Sequence, residues 1–474
     1  MTQPIGVPGP PTGPAPDIGL APPTGPAPPT GPAPPTGPAP DAAPTTTGWH
    51  RLHPLSPIVR VGPALGAVLL VLAENLDSQH QGHHQTTALI EAGILALLLI
   101  RGYVSWLVTR WQIEDGVLRI ESGLLRRTSR RFPPEQLQAV DTVRPFVARI
   151  FGLAEVRVRM AASSGRSGRL SYLQEPAAEA VRARLLALAH GVAEHTPAPP
   201  ERVLLSIDTG RLIASILLSG LGIVLEMVIV ALVALAVVDP AALGAALSGG
   251  ATALIGLGTT VFRRLNSDYQ LTVAEAPDGL RLRSGLLQTT AETIPRGRVQ
   301  GVRMIEPLLW RPLGWCRLVV DVAGKQRSGR ENRSEAQTLR AVLPVGDRAQ
   351  AAWLLDRILP GVPTDLHPPP RRVRWKSPLR YRYLSWGGDA TYAVTTSGRV
   401  RRVTDWVPLA KVQSIRRVEG PGQRRLRLAT VHLDTAGRSI HAILRDRDRA
   451  ECARLVAELP AECRAARLAA TTGR

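Results

Sequence analysis

Cysteine is scarce in this 474-residue chain, with only Cys316, Cys452 and Cys463. They form no C-x-x-C pair, so a zinc knuckle and a dithiol redox motif are excluded. Three unpatterned cysteines also make no disulfide framework, which points to a reducing compartment. Lysine is nearly missing too: 55 of the 58 basic residues are Arg, in a chain also rich in Ala, so the net charge of +20 reflects a compositional bias as well as function. Signatures of catalysis are lacking. Gly324-Lys325 has no Gly-rich loop before it, H-E-x-x-H and G-x-S-x-G do not occur, and no cysteine has a base nearby, so neither an enzyme nor a cofactor is expected. The first 48 residues carry almost no charge and nothing large to bury. Their P-P-T-G-P-A-P units predict a disordered tail, in part polyproline II, and the start has neither the basic nor the apolar region of a secretory signal.

Long apolar runs are present, in two pairs. They cover Pro57 to Ala73, Thr87 to Val108, Leu212 to Val238 and Ala241 to Phe262. About 20 apolar residues cross a bilayer, so four transmembrane helices in two hairpins are predicted. The connecting segments, 74–85 and Asp239-Pro240, carry no Lys or Arg, whereas Arg51, Arg60, Arg110, Arg211, Arg263 and Arg264 flank the other ends. The positive-inside rule then places both termini and all large segments in the cytoplasm of a multi-pass cell-membrane protein.

Each hairpin leads into one copy of an internal repeat. An offset of 162 matches Ser122-Gly123-Leu124-Leu125 with Ser284-Gly285-Leu286-Leu287, Pro133 with Pro295, Gln138 with Gln300, Arg149 with Arg311 and Gly152 with Gly314. Eleven identities in 35 ungapped positions mark a duplication. A more worn third copy lies downstream at an offset of 113, with Ser397-Gly398, Pro408 and Gln413 in place and Arg427 where Gly314 would recur. Alternating runs such as VLRI and EVRVRM predict short strands. Each copy is expected to end in a helix, at 175–190, 348–359 and 449–459.

The order strand, Ser-Gly-Leu-Leu, strand, Pro-x-x-x-hydrophobic-Gln, Arg-x-x-Gly, strands and helix resembles the bacterial pleckstrin-homology-like (PH-like) domain of the second type. Two membrane hairpins with three such domains resemble the YdbT-like family of multi-pass bacterial membrane proteins, over roughly residues 50 to 460. The resemblance implies a fold and an address rather than an activity. The expected fold class is an α-helical multi-pass membrane protein carrying three small β-rich PH-like domains, each a curved sheet or barrel with a C-terminal helix. Expected boundaries are tail 1–48, hairpin 49–108, domain 109–192, hairpin 205–264, domain 266–362 and a divergent domain 376–462.

Candidate chemistry is sparse. Gly123, Gly285, Pro133, Pro295, Gln138 and Gln300 suit turns, strand edges and a bend rather than a site. The first connecting loop holds His80, His83 and His84 beside Glu74 and Asp77, but it reads as solvated and no metal is expected there. Glu226 lies near the middle of the third apolar run, where an intramembrane charge needs a partner, and Arg101 falls at a matching depth. Residues 371–474 hold 23 basic against nine acidic side chains. Their entry segment interleaves Arg371, Arg372, Arg374, Lys376, Arg380 and Arg382 with Trp375, Tyr381 and Tyr383. That pattern suits the acidic headgroups of an inner leaflet, with nucleic acid the less favoured partner. The expectation is a non-enzymatic protein displaying cytoplasmic domains for protein or lipid-surface interaction, a scaffold or a subunit of an envelope complex, with a homo-oligomer left open. The competing expectation is a transport or export component with a polar path lined by Glu226 and Arg101.

Overall fold

The computed structural model describes residues 48–59, 84–114, 116–124, 127–160, 167–189, 202–276, 279–295, 297–322, 339–437 and 439–472. Strand β1 (His50–Arg51) and helix α1 (His84–Val108) come first. Then one plan recurs three times: three strands, a turn at a proline, three more strands and a helix. The first copy is β2 (Arg110–Glu114), β3 (Val117–Ser122), β4 (Thr128–Phe132), β5 (Leu137–Arg144), the short α2 (Phe146–Ile150), β6 (Leu153–Met160), β7 (Ser167–Gln174) and α3 (Glu175–Ala189). Strand β8 (Arg202–Ser206) and helices α4 (Thr209–Leu217), α5 (Gly220–Val238) and α6 (Pro240–Asp268) lead to the second. It comprises β9 (Thr272–Ala276), β10 (Gly279–Ser284), β11 (Thr289–Pro295), β12 (Val299–Pro307), β13 (Trp315–Val322), β14 (Leu339–Asp347) and α7 (Arg348–Ile358). The third comes after the single-turn α8 (Val373–Lys376). Its elements are β15 (Ser385–Gly388), β16 (Tyr392–Ser397), β17 (Arg401–Pro408), β18 (Val412–Val418), α9 (Pro421–Arg425), β19 (Leu428–Thr435), β20 (Ala442–Asp448) and α10 (Arg449–Thr472).

Alternation builds each strand. In β3, Leu118 and Ile120 turn inward while Arg119 and Glu121 face out and pair at 2.8 Å. The Ser-Gly hairpin turns need a backbone that only glycine adopts without strain. Gly285 has φ +125°, and a Cβ there would lie 1.9 Å from the Gln288 carbonyl oxygen. Each closing helix buries one stripe: Val181 and Leu185 on α3, Leu354 and Leu355 on α7, Cys452, Leu459 and Cys463 on α10. Cys463 lies beyond Pro460, so α10 runs on past the predicted end because its next turns still cover the third core.

The sheets do not respect the repeat boundaries. The four sheets run β1-β2-β3-β4, β7-β6-β5-β11-β10-β9-β8, β14-β13-β12-β17-β16-β15 and β18-β19-β20. The second half of one copy therefore continues, edge to edge, into the first half of the next. The two junctions share one register. Val143 faces Thr290 across β5 and β11, the offset of 162 carries Val143 to Ile305, the offset of 113 carries Thr290 to Val403, and Ile305 faces Val403 across β12 and β17. The core has the same plan: Tyr392, Val394 and Trp406 of the third copy pack with Trp310, Val302 and Leu354 of the second.

The expected four-helix membrane bundle is not what this chain builds. It is β-rich, with twenty strands in four sheets among the described residues, and one described helix, α5, is long and apolar enough to cross a membrane. Hydropathy alone does not distinguish a protein core from lipid, and several apolar residues go to the core. Val59 of the first run packs on Ala148, Leu153 and Tyr172; the rest of that run, from 60 onward, lies outside the described residues. The third run breaks at Leu218 and Ser219, and Leu212 and Ile216 of α4 join the core of the second copy. The second run lies in α1, His84–Val108, and it carries Glu91 and Arg101 within it. Helix α6 is built largely of Gly, Ala, Ser and Thr, and it packs Val261 and Leu265 near its end on the same core. The expected tail over residues 1–47 also lies outside the described residues.

Candidate functional site

The basic entry segment of the third copy is an anchored loop with an exposed tip. Val373 on α8 is fully buried with Leu384 and Leu428, and Tyr381 and Leu426 close over them. Two of the cations are taken up by ion pairs. Arg372 pairs with Asp448 and donates to the Arg427 carbonyl at 3.3 Å, and Lys376 pairs with Asp446, which also accepts from Gln423 Nε2 at 2.6 Å. Outside these pairs, Arg371, Arg374, Trp375, Leu379, Arg380 and Arg382 are exposed. Trp375 is 85% exposed, and Arg374 lies 6.0 Å from the Tyr381 ring centroid. Arg371, in the turn that leads into α8, stands three and four positions before Arg374 and Trp375, a spacing that puts two guanidinium groups and the indole on one side. That face can sit at a polar–apolar boundary, with the indole in the apolar phase and the arginines on anions.

A pocket beside the segment, lined by Leu384, Trp386, Ile443, Arg445 and Arg447 among others, has a volume of about 10 Å³, space for a water molecule and no more. Among the described residues no group of three or more His, Cys, Asp or Glu side chains is placed to hold a metal. The loop with His80 and His83 lies outside the described residues. All three cysteines are free and buried, and burial pushes the Cys316 thiol up to about 12 and the Cys452 thiol up to about 11.

Arg101 and Glu226 are not brought together. Both are exposed, Arg101 on α1 and Glu226 on α5, and no ion pair joins them in the structure of the described residues. Gln300, expected at a bend, donates to the Arg298 carbonyl at 3.3 Å.

The repeat positions conceal one role that spacing alone did not disclose. Arg149 Nη1 donates to the Leu286 carbonyl at 3.2 Å, and Arg311 Nη2 donates to the Arg399 carbonyl at 2.7 Å. These are equivalent residues making equivalent bonds across the two junctions. Each Arg reaches from the second half of its own copy to the Ser-Gly turn of the next, so the shared Arg of Arg-x-x-Gly is a clasp between copies. The second junction is charge-matched as well. Arg303 binds Asp405 through two hydrogen bonds of 2.6 and 2.9 Å, and Glu306 lies 3.8 Å from Arg402.

A family model described as "Bacterial PH domain" matches the chain three times, over residues 58–189, 213–361 and 369–459. Comparison with curated proteins gives no match. Three matches spanning most of the chain, each falling on one copy of the strand–turn–strand–helix plan, agree with the repeat seen in the sheets: the chain belongs to the bacterial PH domain family.

Proposed function

We propose that this protein is a non-enzymatic interaction protein of the YdbT-like kind, held at a membrane by α5, with the tip of the third domain resting on acidic lipid headgroups. Membership of the bacterial PH domain family supports an interaction module for protein or lipid. The observation that carries the lipid reading is Trp375, which is 85% exposed and surrounded in sequence by arginines the fold leaves uncommitted. At a membrane interface tryptophan is favoured, and each nearby Arg adds about 1 kcal/mol on an anionic leaflet. Helix α5 supports the address: Met227, Val230, Val233, Val237 and Val238 are exposed, and an unpaired apolar face of that size needs an apolar surrounding.

The test uses the full chain, because β17 of the third domain pairs with β12 of the second and residues 371–474 do not stand alone. A Trp375→Cys variant offers one exposed thiol beside three buried ones and can be labelled there with an environment-sensitive dye. The dye emission should shift to the blue in nanodiscs containing acidic lipid and revert at high salt. Replacing Arg371, Arg374, Arg380 and Arg382 by Gln should abolish the shift. An equal shift in neutral nanodiscs, or none in either, would overturn the reading.

A further inference from the structure

The chain makes its edge junction twice, and it presents the first half of that junction a third time. Strand β18 is the equivalent of β5 and β12, but among the described residues its one strand neighbour is β19. The exposure of its side chains agrees. Val143 and Ile305, which face the neighbouring copy, are 1% and 5% exposed, whereas Val418 at the same place is 44% exposed. Arg416, Arg417 and Val418 all face solvent. The clasp is present too: the offset of 113 carries Arg311 to Arg424, which is exposed on α9. Sheet edges of this kind are ordinarily covered, because each is a row of backbone groups ready to pair.

The charges on this edge say what would pair with it. Arg303 and Glu306 of β12 are matched by Asp405 and Arg402 of β17. The same offset carries Arg303 to Arg416 and Glu306 to Glu419, so β18 and the residue after it repeat the charge pattern of β12. A complementary strand carries a basic residue and, three positions later, an acidic one. Strand β4, whose one strand neighbour among the described residues is β3, fails this requirement. The residues equivalent to Arg402 and Asp405 there are Arg127 and Arg130, so a second copy docking head to tail would set Arg130 against Arg416.

We propose that the β18 edge, with Arg424 as clasp, is a docking site for an extended acidic-centred strand of another polypeptide, added to the sheet in the register of the two internal junctions. Arg130 keeps a second copy from occupying it. The site uses none of the exposed residues of the basic tip, and its test contains no lipid headgroups.

The probe is a capped synthetic peptide of residues 397–408, which carries Arg402 and Asp405 in the matching positions, and the full chain in detergent is titrated with it. The wild-type peptide should bind, the peptide with Asp405→Arg should bind at least tenfold more weakly, and the Arg416→Asp chain should reverse that preference. Arg416 is exposed and its ion pair with Asp434 on β19 lies at the surface, where such a pair adds little, so its replacement leaves the fold intact. The Arg130→Asp chain should assemble head to tail with rising concentration, and its double variant with Arg416→Asp should not. Indifference of binding to the charge swap, absence of binding by every peptide, or head-to-tail assembly of the unmodified chain would each overturn the proposal.

Discussion

Arg427 occupies a position that asks for glycine. Its counterparts Gly152 and Gly314 have φ of +64° and +68°, and Arg427 keeps the same left-handed backbone at +52°. No atom lies within 4 Å of where a Cβ would stand at either glycine, so the third copy tolerates a side chain and bears only the backbone strain. Arg427→Gly should therefore stabilise the third domain by about 0.5–1 kcal/mol, seen as a rise in its urea midpoint; a fall would show that the side chain contributes more than the strain costs. The sequence shows the loss of glycine but not that the backbone stayed left-handed, since only φ carries that fact. His432 on β19 gives a pH dependence. Burial, with Arg416 next, holds its imidazole below the usual value of about 6.5. The unfolded chain then takes up the proton first, so this contribution to stability is complete above about pH 6.5 and is lost as the pH falls through the folded value. Urea midpoints measured from pH 7.5 to 5 should fall less steeply for His432→Gln than for the parent.

At the scale of elements, the break between α4 and α5 marks where core gives way to the exposed apolar helix. Ser219 caps α5 by accepting from the Gly222 amide at 3.2 Å, and it also donates to the Ile216 carbonyl at 2.6 Å. A Cβ on Gly222 would lie 2.2 Å from that same carbonyl oxygen. Gly222→Ala should therefore force the two helices apart and cost about 1–3 kcal/mol by overpacking, read as a lower melting temperature, whereas Gly220→Ala, with open space at its Cβ, should be nearly neutral. The strands and closing helices were legible because alternation and the 3.6-residue stripe report directly which side chains are buried. The break was not, because LIASILLSGLGIVL is apolar on both sides of it; its trace was the Ser-Gly-x-Gly in the middle. The candidate site was legible in composition only: the sequence names eight cations and aromatics from Arg371 to Arg382, and the fold alone pairs Arg372 and Lys376 with Asp448 and Asp446.

For the whole molecule, the repeat period was plain and the sharing of sheets was not. Identities at a fixed offset report that copies fold alike; they do not say which strand edges meet. A hint was available in charge, since Arg303 and Asp405 are 102 positions apart and nothing local explains either. Burial pushes the Asp405 carboxyl above its usual range while Arg303 opposes the shift, so removing the arginine strands a buried acid. Arg303→Ala should cost about 2 kcal/mol, and because β12 and β17 belong to one sheet, the loss should appear equally in hydrogen exchange of β13 and of β16. Loss confined to one of them would show that the second and third copies unfold separately.

The first junction has a consequence for synthesis. Strand β5 leaves the ribosome complete at Arg144, but its neighbour β11 begins only at Thr289, and the apolar helices between them come out in the interval. At about 5–20 residues per second, the nascent chain carries that unpaired edge for roughly 7–30 s. Throughout that time the apolar helix must find its surroundings while the first sheet still lacks a side. The handling of α5 is thus built into the folding order of the first domain, and a chain delayed at α5 would leave β5 open to the wrong neighbour.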